Sequence, residues 1–170
     1  MSSSTNAQPP SAYLIYGLAI ALAALFVDQA HKWAMIKGLA LPEGQRFQLA
    51  PFLDIIYVRN TGISYGWLSQ SSTGGQWALA GFAVLAAIGL SLWLARGVSN
   101  RLLAASVGLI IGGAMGNAID RVVLGGVADF FSLHAFGYYW YVFNIADVAI
   151  VAGVVGMLWE SIIGPRMPGR

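Results

Sequence analysis

The chain has 170 residues, of which 58% are hydrophobic and 9% charged, with a formal net charge of +2. Soluble domains carry about 25% charged residues, so this is the composition of a polytopic membrane protein of one domain. The absence of Cys excludes disulfides, thiolate metal sites, thiol catalysis and lipidation on cysteine, and the nine Lys and Arg form no basic run that would favour nucleic acid.

Residues 1–11, MSSSTNAQPPS, are small, polar and uncharged, and read as a disordered N-terminal tail. No Lys or Arg precedes the first apolar run, so that run is expected to stay as an anchor. Four segments can span a hydrocarbon core of about 30 Å. They run from about Ala12 to Val27, continuing through Asp28, Lys32 and Trp33; from Gln76 to Ala95; from Leu102 to Ile119; and from Phe143 to Ile163. One transmembrane domain over 12–163 is expected, with residues 164–170 as a C-terminal tail.

Between the first two spans, Leu41-Pro42-Glu43-Gly44 predicts a turn, and Arg46–Leu49 and Asp54–Arg59 predict short strands. Asn60-Thr61-Gly62 predicts a turn or bulge. A small sheet over about 41–67 is therefore expected on the membrane surface. Leu68–Gly75, LSQSSTGG, predicts a flexible connector. The link between spans two and three carries Arg96 and Arg101 and no acid, and the tail carries Arg166 and Arg170. The positive-inside rule favours that side as cytoplasmic, but Lys32, Lys37, Arg46, Arg59 and Arg121 on the other side leave orientation open.

In span three, Gly108, Gly112 and Gly116 form a ladder spaced by four, which lets another helix approach closely. Gly113, Asn117, Asp120 and Arg121 follow on a neighbouring face. In span four, Asn144 and Asp147 share a face that Ala149 and Gly153 extend. The two glycine-rich faces are expected to close on each other. Asp28 and Lys32 stand four apart, a favourable acid-first pair.

Ionisable groups at a membrane boundary mark functional sites. The nucleophiles drop out: there is no Cys, no G-x-S-x-G and no evident Ser–His pairing. His31 and His134 read as interfacial or packing residues, and two His without HExxH give no metal site. The paired glycines at 112–113 and 125–126 lack the residues of a P-loop. Two carboxylates sharing a site remain, one acting as acid and the other as base toward water. Asp129 in VADF and Asp147 in FNIAD fit that geometry, although each could instead cap a helix, and spacing leaves both readings open. Asp120 with Arg121 reads as a structural ion pair.

DQAHKW, RNTG, GGAMGNAIDRVVLGGVADF and FNIAD, in this order across four spans, resemble the lipoprotein signal peptidase (signal peptidase II) family. The resemblance covers Ala12 to about Ile163. It implies an all-α membrane fold of four transmembrane helices, with a small extracytoplasmic β-sheet and a periplasmic loop or helix over the site. It also implies an aspartic endopeptidase of the bacterial inner membrane that needs no cofactor or metal. The substrates are prolipoproteins carrying a diacylglyceryl-modified Cys, cut just before that Cys. By motif, Asp129 and Asp147 would form the catalytic dyad, with Asp28, Lys32, Asn60, Gly62, Asn117, Arg121 and Asn144 binding substrate or supporting the site. Both termini would be cytoplasmic and the site periplasmic. Membrane lipids are the surroundings, nucleic acid is not a partner, and the glycine faces are expected to be used within a monomer.

Two departures stand out. Ile63-Ser64-Tyr65 replaces the family's Ala-Ala-Phe after N-x-G, with consequences for the substrate or inhibitor groove. Val127-Ala128-Asp129-Phe130 replaces V-V-D-F and retains the Asp. Activity is expected to survive both. The aromatics of the loop Gly125–Tyr141, Phe136 and Tyr138 to Tyr141, read as an interfacial belt beside a segment that clamps over the site. Two other functional classes compete. A proton-coupled carrier wants its acids near the bilayer midplane, whereas these cluster at one boundary. An assembly factor leaves Asn117, Asp129, Asn144 and Asp147 without a joint reason.

Overall fold

In a computed structural model, residues 10–62, 72–98 and 100–163 are described. Four helices are long and apolar enough to cross a membrane. They are α1 (Pro10–Trp33), α2 (Thr73–Ala95), α3 (Arg101–Leu124) and α4 (Ile145–Ile163). A π-helical turn, Ala34–Gly38, extends α1. The four strands are β1 (Arg46–Ala50), β2 (Leu53–Asn60), β3 (Val127–Ala135) and β4 (Tyr138–Phe143). They form one antiparallel sheet in the order β1-β2-β3-β4.

The helix bundle is built around α3. In its most apolar window 61% of residues are buried, against 17% in each of the others. The reason lies in its glycines. A methyl group on Gly108 would lie 2.2 Å from the Gly17 carbonyl oxygen, and one on Gly112 would lie 2.4 Å from that of Ala21. The 108/112/116 ladder therefore carries α1. The neighbouring face carries α4, since a methyl group on Gly113 would lie 2.5 Å from the Ala146 oxygen. Without side chains in the way, backbones approach to van der Waals contact, which holds helices together where lipid offers no hydrophobic drive. The expected closure of spans three and four on their small residues holds, since a methyl group on Gly153 of α4 would likewise lie 2.5 Å from the Ser106 oxygen of α3. What differs is that the 108/112/116 ladder carries α1 and the adjacent Gly113 face carries α4. Outward, Leu22, Phe26, Phe82, Leu85, Val151 and Trp159 are exposed, as suits a lipid-facing surface.

Three elements differ from the sequence reading. Helix α2 begins at Thr73, inside the expected connector, because Ser72 caps it: its Oγ accepts from the Gly75 amide at 3.2 Å. Helix α1 begins at Pro10, inside the expected tail. The expected loop over 125–141 is instead the hairpin β3–β4, which supplies half of the sheet. Gly125, in the left-handed conformation at φ 71°, stops α3 and turns the chain into β3. Ile63, Ser64 and Tyr65, the remainder of the expected connector up to residue 71 and the tail 164–170 lie outside the described residues.

The sheet is pinned by a polar cluster. Arg46 donates to Asp54 and to Ser132, each at 3.0 Å, and stacks over the Tyr139 ring. His134 lies 3.1 Å from the other oxygen of Asp54. Burial favours the neutral form of Asp54, but the hydrogen bonds of Arg46 and His134 outweigh it and hold the carboxyl below its usual range. One cluster thus spans all four strands. Against the helices, the sheet packs through Ala128 and Phe130 onto Met35, with His31 stacked on Phe131 and edge-on to Phe130.

Candidate active site

Asp129 sits on β3, two residues from the start of the strand, and is 2% exposed. Asp147 sits in the first turn of α4 and is half-buried. Only Asn144 separates β4 from α4, and it touches both acids. Its Nδ2 donates to Asp129 Oδ1 at 2.6 Å, its backbone amide donates to Asp147 Oδ2 at 3.2 Å, and its Oδ1 accepts from the Asp147 amide at 2.9 Å. The last two contacts form a reciprocal cap of α4, so Asn144 caps the helix and links the acids together.

Other amides complete the shell. Asn60, the last residue of β2, donates to Asp129 Oδ2 at 3.0 Å. Its own Oδ1 accepts from the Gly62 amide at 2.9 Å, closing a small turn. Asn117 of α3 donates to Asp147 Oδ1 at 3.0 Å. Arg121, one turn on, donates to the carbonyls of Asn117 and Gly62, each at 3.1 Å, and fixes the turn against α3. From α2, Gln76 donates to the Thr61 carbonyl at 2.6 Å. Every expected site residue on these elements is brought to one end of the bundle.

Burial raises Asp129 to about 7, with the Asp147 charge adding to the rise and the hydrogen bonds of Asn60 and Asn144 opposing it. A carboxyl poised near neutrality can hold or release a proton in the working range of acid–base chemistry.

Behind the acids lies a second cluster. Lys32 Nζ is 2.8 Å from Asp28, 2.7 Å from Asp120 and 3.2 Å from Asn117 Oδ1. Asp28 accepts from the Ala146 amide in the first turn of α4 at 2.9 Å, and Asp120 accepts from the Ala128 amide of β3 at 3.1 Å. The expected Asp28–Lys32 pair forms. The Asp120–Arg121 pair does not: Asp120 pairs with Lys32 of α1, and Arg121 turns to backbone carbonyls. Consecutive residues project in different directions from a helix and do not face each other. Gln29 was not singled out from the sequence. It donates to Asp28, Asp120 and the Gly116 carbonyl, and its only signal was its place beside Asp28 on a polar helix end.

A cavity of about 310 Å³ opens onto the acids. Asn60, Gly62, Asn117, Arg121, Asp129 and Asp147 line its polar end, and Phe82, Ala86, Ile110, Ala114, Ile150 and Val151 line an apolar end among α2, α3 and α4. Four spanning helices, a sheet over one end and two carboxylates joined by amides beneath it define a polytopic membrane protein with a polar site at the bundle's edge. A family model described as signal peptidase (SPase) II matches residues 20–163, and the chain belongs to that family, which makes it a peptidase of a bacterial membrane. It is 53% identical to a lipoprotein signal peptidase of Methylobacterium sp. (strain 4-46), over 88% of this chain and 90% of the relative. It is 46% identical to one of Rhodopseudomonas palustris (strain ATCC BAA-98 / CGA009), over 87% and 92%. A bacterial membrane enzyme solved in meso at 2.3 Å is similar at a TM-score of 0.74 and 28% identity, covering 91% of this chain and 94% of that one.

Proposed function

We propose that this chain is an aspartic endopeptidase that removes signal peptides from diacylglyceryl-modified prolipoproteins, cutting just before the lipidated Cys. Its signal peptidase II membership and its lipoprotein signal peptidase relatives support the substrate class. The observation that carries the chemistry is the meeting of two carboxylates on one asparagine: Asn144 bonds both Asp129 and Asp147, and both acids line a largely apolar cavity.

In this mechanism the pair carries one shared proton. The ionised carboxylate takes a proton from water as its oxygen attacks the scissile carbonyl carbon, and the protonated carboxyl hydrogen-bonds the carbonyl oxygen. Collapse of the tetrahedral intermediate breaks the C–N bond, and a proton passes to the leaving amine. No covalent enzyme intermediate forms. Asn60 and Asn117 hold the outer carboxylate oxygens, Asp28 and Lys32 support them from behind, and Arg121 and Gly62 shape the substrate wall. The apolar end takes hydrocarbon, so a lipid-anchored substrate meets the dyad without leaving the bilayer. The site faces the periplasm of the inner membrane, both termini are cytoplasmic, and the enzyme works as a monomer. Membership of the signal peptidase II family supports this orientation, which the Lys and Arg at the two ends of the bundle do not decide.

The test uses purified protein and a diacylglyceryl-modified prolipoprotein. Asp129→Asn and Asp147→Asn each abolish cleavage, to at least roughly 10³-fold below wild type, while remaining folded. Undiminished cleavage by either variant would remove that residue from the dyad.

A further inference from the structure

We propose that Lys32 is a positioning residue that, together with Asn144, holds the Asn117 amide turned so that its N–H points at Asp147. The proposal rests on the dyad reading above. Lys32 is 2% exposed, and an ammonium offers three protons and accepts none. Two of its contacts are the carboxylates of Asp28 and Asp120; the third is Asn117 Oδ1.

That third contact has directional consequences. An asparagine side chain is nearly symmetric in shape, so its donor and acceptor ends are assigned by their neighbours. Asn117 Oδ1 also accepts from Asn144 Nδ2 at 3.1 Å. With two donors on its oxygen, Asn117 must turn its Nδ2 to Asp147. Asn144 is oriented in the same sense by its own contacts, since its Oδ1 accepts from the Asp147 backbone amide and its Nδ2 therefore faces Asp129 and Asn117. A group at position 32 that could not donate would leave the Asn117 oxygen with Asn144 as its single side-chain donor, so the amide is held from one side and its N–H is less firmly aimed at Asp147. Lys32 reaches no carboxyl of the dyad directly among its hydrogen bonds and ion pairs; it acts through Asn117.

The cluster is well suited to this task. Asp28 and Asp120 hold the ammonium on two sides, and Gln29 occupies remaining positions on both carboxylates. Gly116 leaves room for Asp28, since a methyl group there would lie 2.4 Å from Asp28 Oδ2. The charged groups around the dyad are Lys32 and Asp28 of α1 and Asp120 and Arg121 of α3. The Lys32 charge favours ionised Asp129, so its removal strengthens proton binding there.

The experiment compares Lys32→Met, Lys32→Arg, the charge-balanced double variant Lys32→Met/Asp120→Asn, and Gln29→Met, with Asp129→Asn and Asp147→Asn beside them. Lys32→Met and the double variant are expected to lose roughly 10²-fold in kcat, the scale of a misplaced reacting group, with KM little changed. In Lys32→Met both limbs of the pH–rate profile move to higher pH. Lys32→Arg, which keeps the charge and the donors, recovers most of kcat. Gln29→Met removes bonds to the same carboxylates without reaching Asn117; it lowers thermal stability and leaves the pH profile in place. Wild-type kcat and pH profile in the folded double variant, or an equal pH shift in Gln29→Met, would overturn the proposal. Where the dyad variants still cleave, the dyad reading fails whatever Lys32 does; where they are dead and the Lys32 variants are normal, the positioning role alone fails.

Discussion

Asp129 trades stability for chemistry. Its folded pKa of about 7 stands above the ordinary aspartate value of about 3.9, so the folded state holds a proton that the unfolded chain releases. The sign follows: below about pH 4 both states are protonated and nothing is lost. As pH rises from about 4 to 7 the native state becomes progressively less favoured, and the full cost is present above about 7. Asp129→Asn escapes that cost. It is therefore expected to melt above wild type at pH 8, by an amount on the order of a few kcal/mol, with the gap closing toward pH 4. Thermal unfolding in detergent at the two pH values checks this. Equal gaps at both would mean that Asp129 is not held protonated by its surroundings. Residue identity also explains what the sequence left hidden here. Asp28 and Lys32 were legible because four residues make one helical turn. The partner of Asp120 is not legible, because adjacency to Arg121 along the chain is not adjacency on a helix and Lys32 stands 88 residues away in sequence.

Elements show the same division between local and distant signals. The spacing of Gly108, Gly112 and Gly116 announced a packing face, but not which neighbour it carries; only the assembled bundle shows α1 on that ladder and α4 on the next face. Gly112→Ala places a methyl group 2.4 Å from the Ala21 carbonyl oxygen, against backbone that cannot swing aside. The expected loss is roughly 1–3 kcal/mol for overpacking, reduced by up to about 1 kcal/mol of helix propensity. Gly89→Ala in α2 meets nothing within 4 Å and gains propensity alone. Melting temperatures should fall for the first and hold or rise for the second. Strands β1 and β2 are legible from their β-branched and aromatic runs, whereas β3 and β4 fall where the sequence predicts a loop. Their sequences, VADFFSLHA and YYWYVF, are strand-forming, but the pairing that makes them a sheet joins β3 to β2 across some seventy residues.

At the scale of the whole molecule, one end carries the sheet and the polar site, and the other carries the link from α2 to α3. The absence of Cys makes orientation directly measurable. A single cysteine at Phe136, fully exposed in the turn between β3 and β4, or at Arg96, exposed beyond α2, leaves the bundle untouched. With the sheet outside, a membrane-impermeant maleimide labels Phe136→Cys in intact spheroplasts, and Arg96→Cys only after permeabilisation. The reverse pattern would overturn the proposed topology. The four spans and the crowding of acids toward one boundary could be read before any coordinates. The amide chain could not, because it draws on α1, β2, α3 and the β4–α4 junction together.

That junction limits how the chain can vary in length. One residue, Asn144, stands between the last position of β4 and the first of α4. The strand delivers the helix without slack, so the angular position of Asp147 is set by counting residues. One residue inserted after Asn144 would turn the helix by about 100° relative to the strand, carrying the carboxylate off the cavity while leaving composition and hydrophobicity almost unchanged. An insertion between Phe136 and Gly137, at the tip of the hairpin, shifts no such phase. Cleavage should survive the second insertion and not the first, which would make this junction a place where the chain tolerates changes of side chain more readily than changes of count.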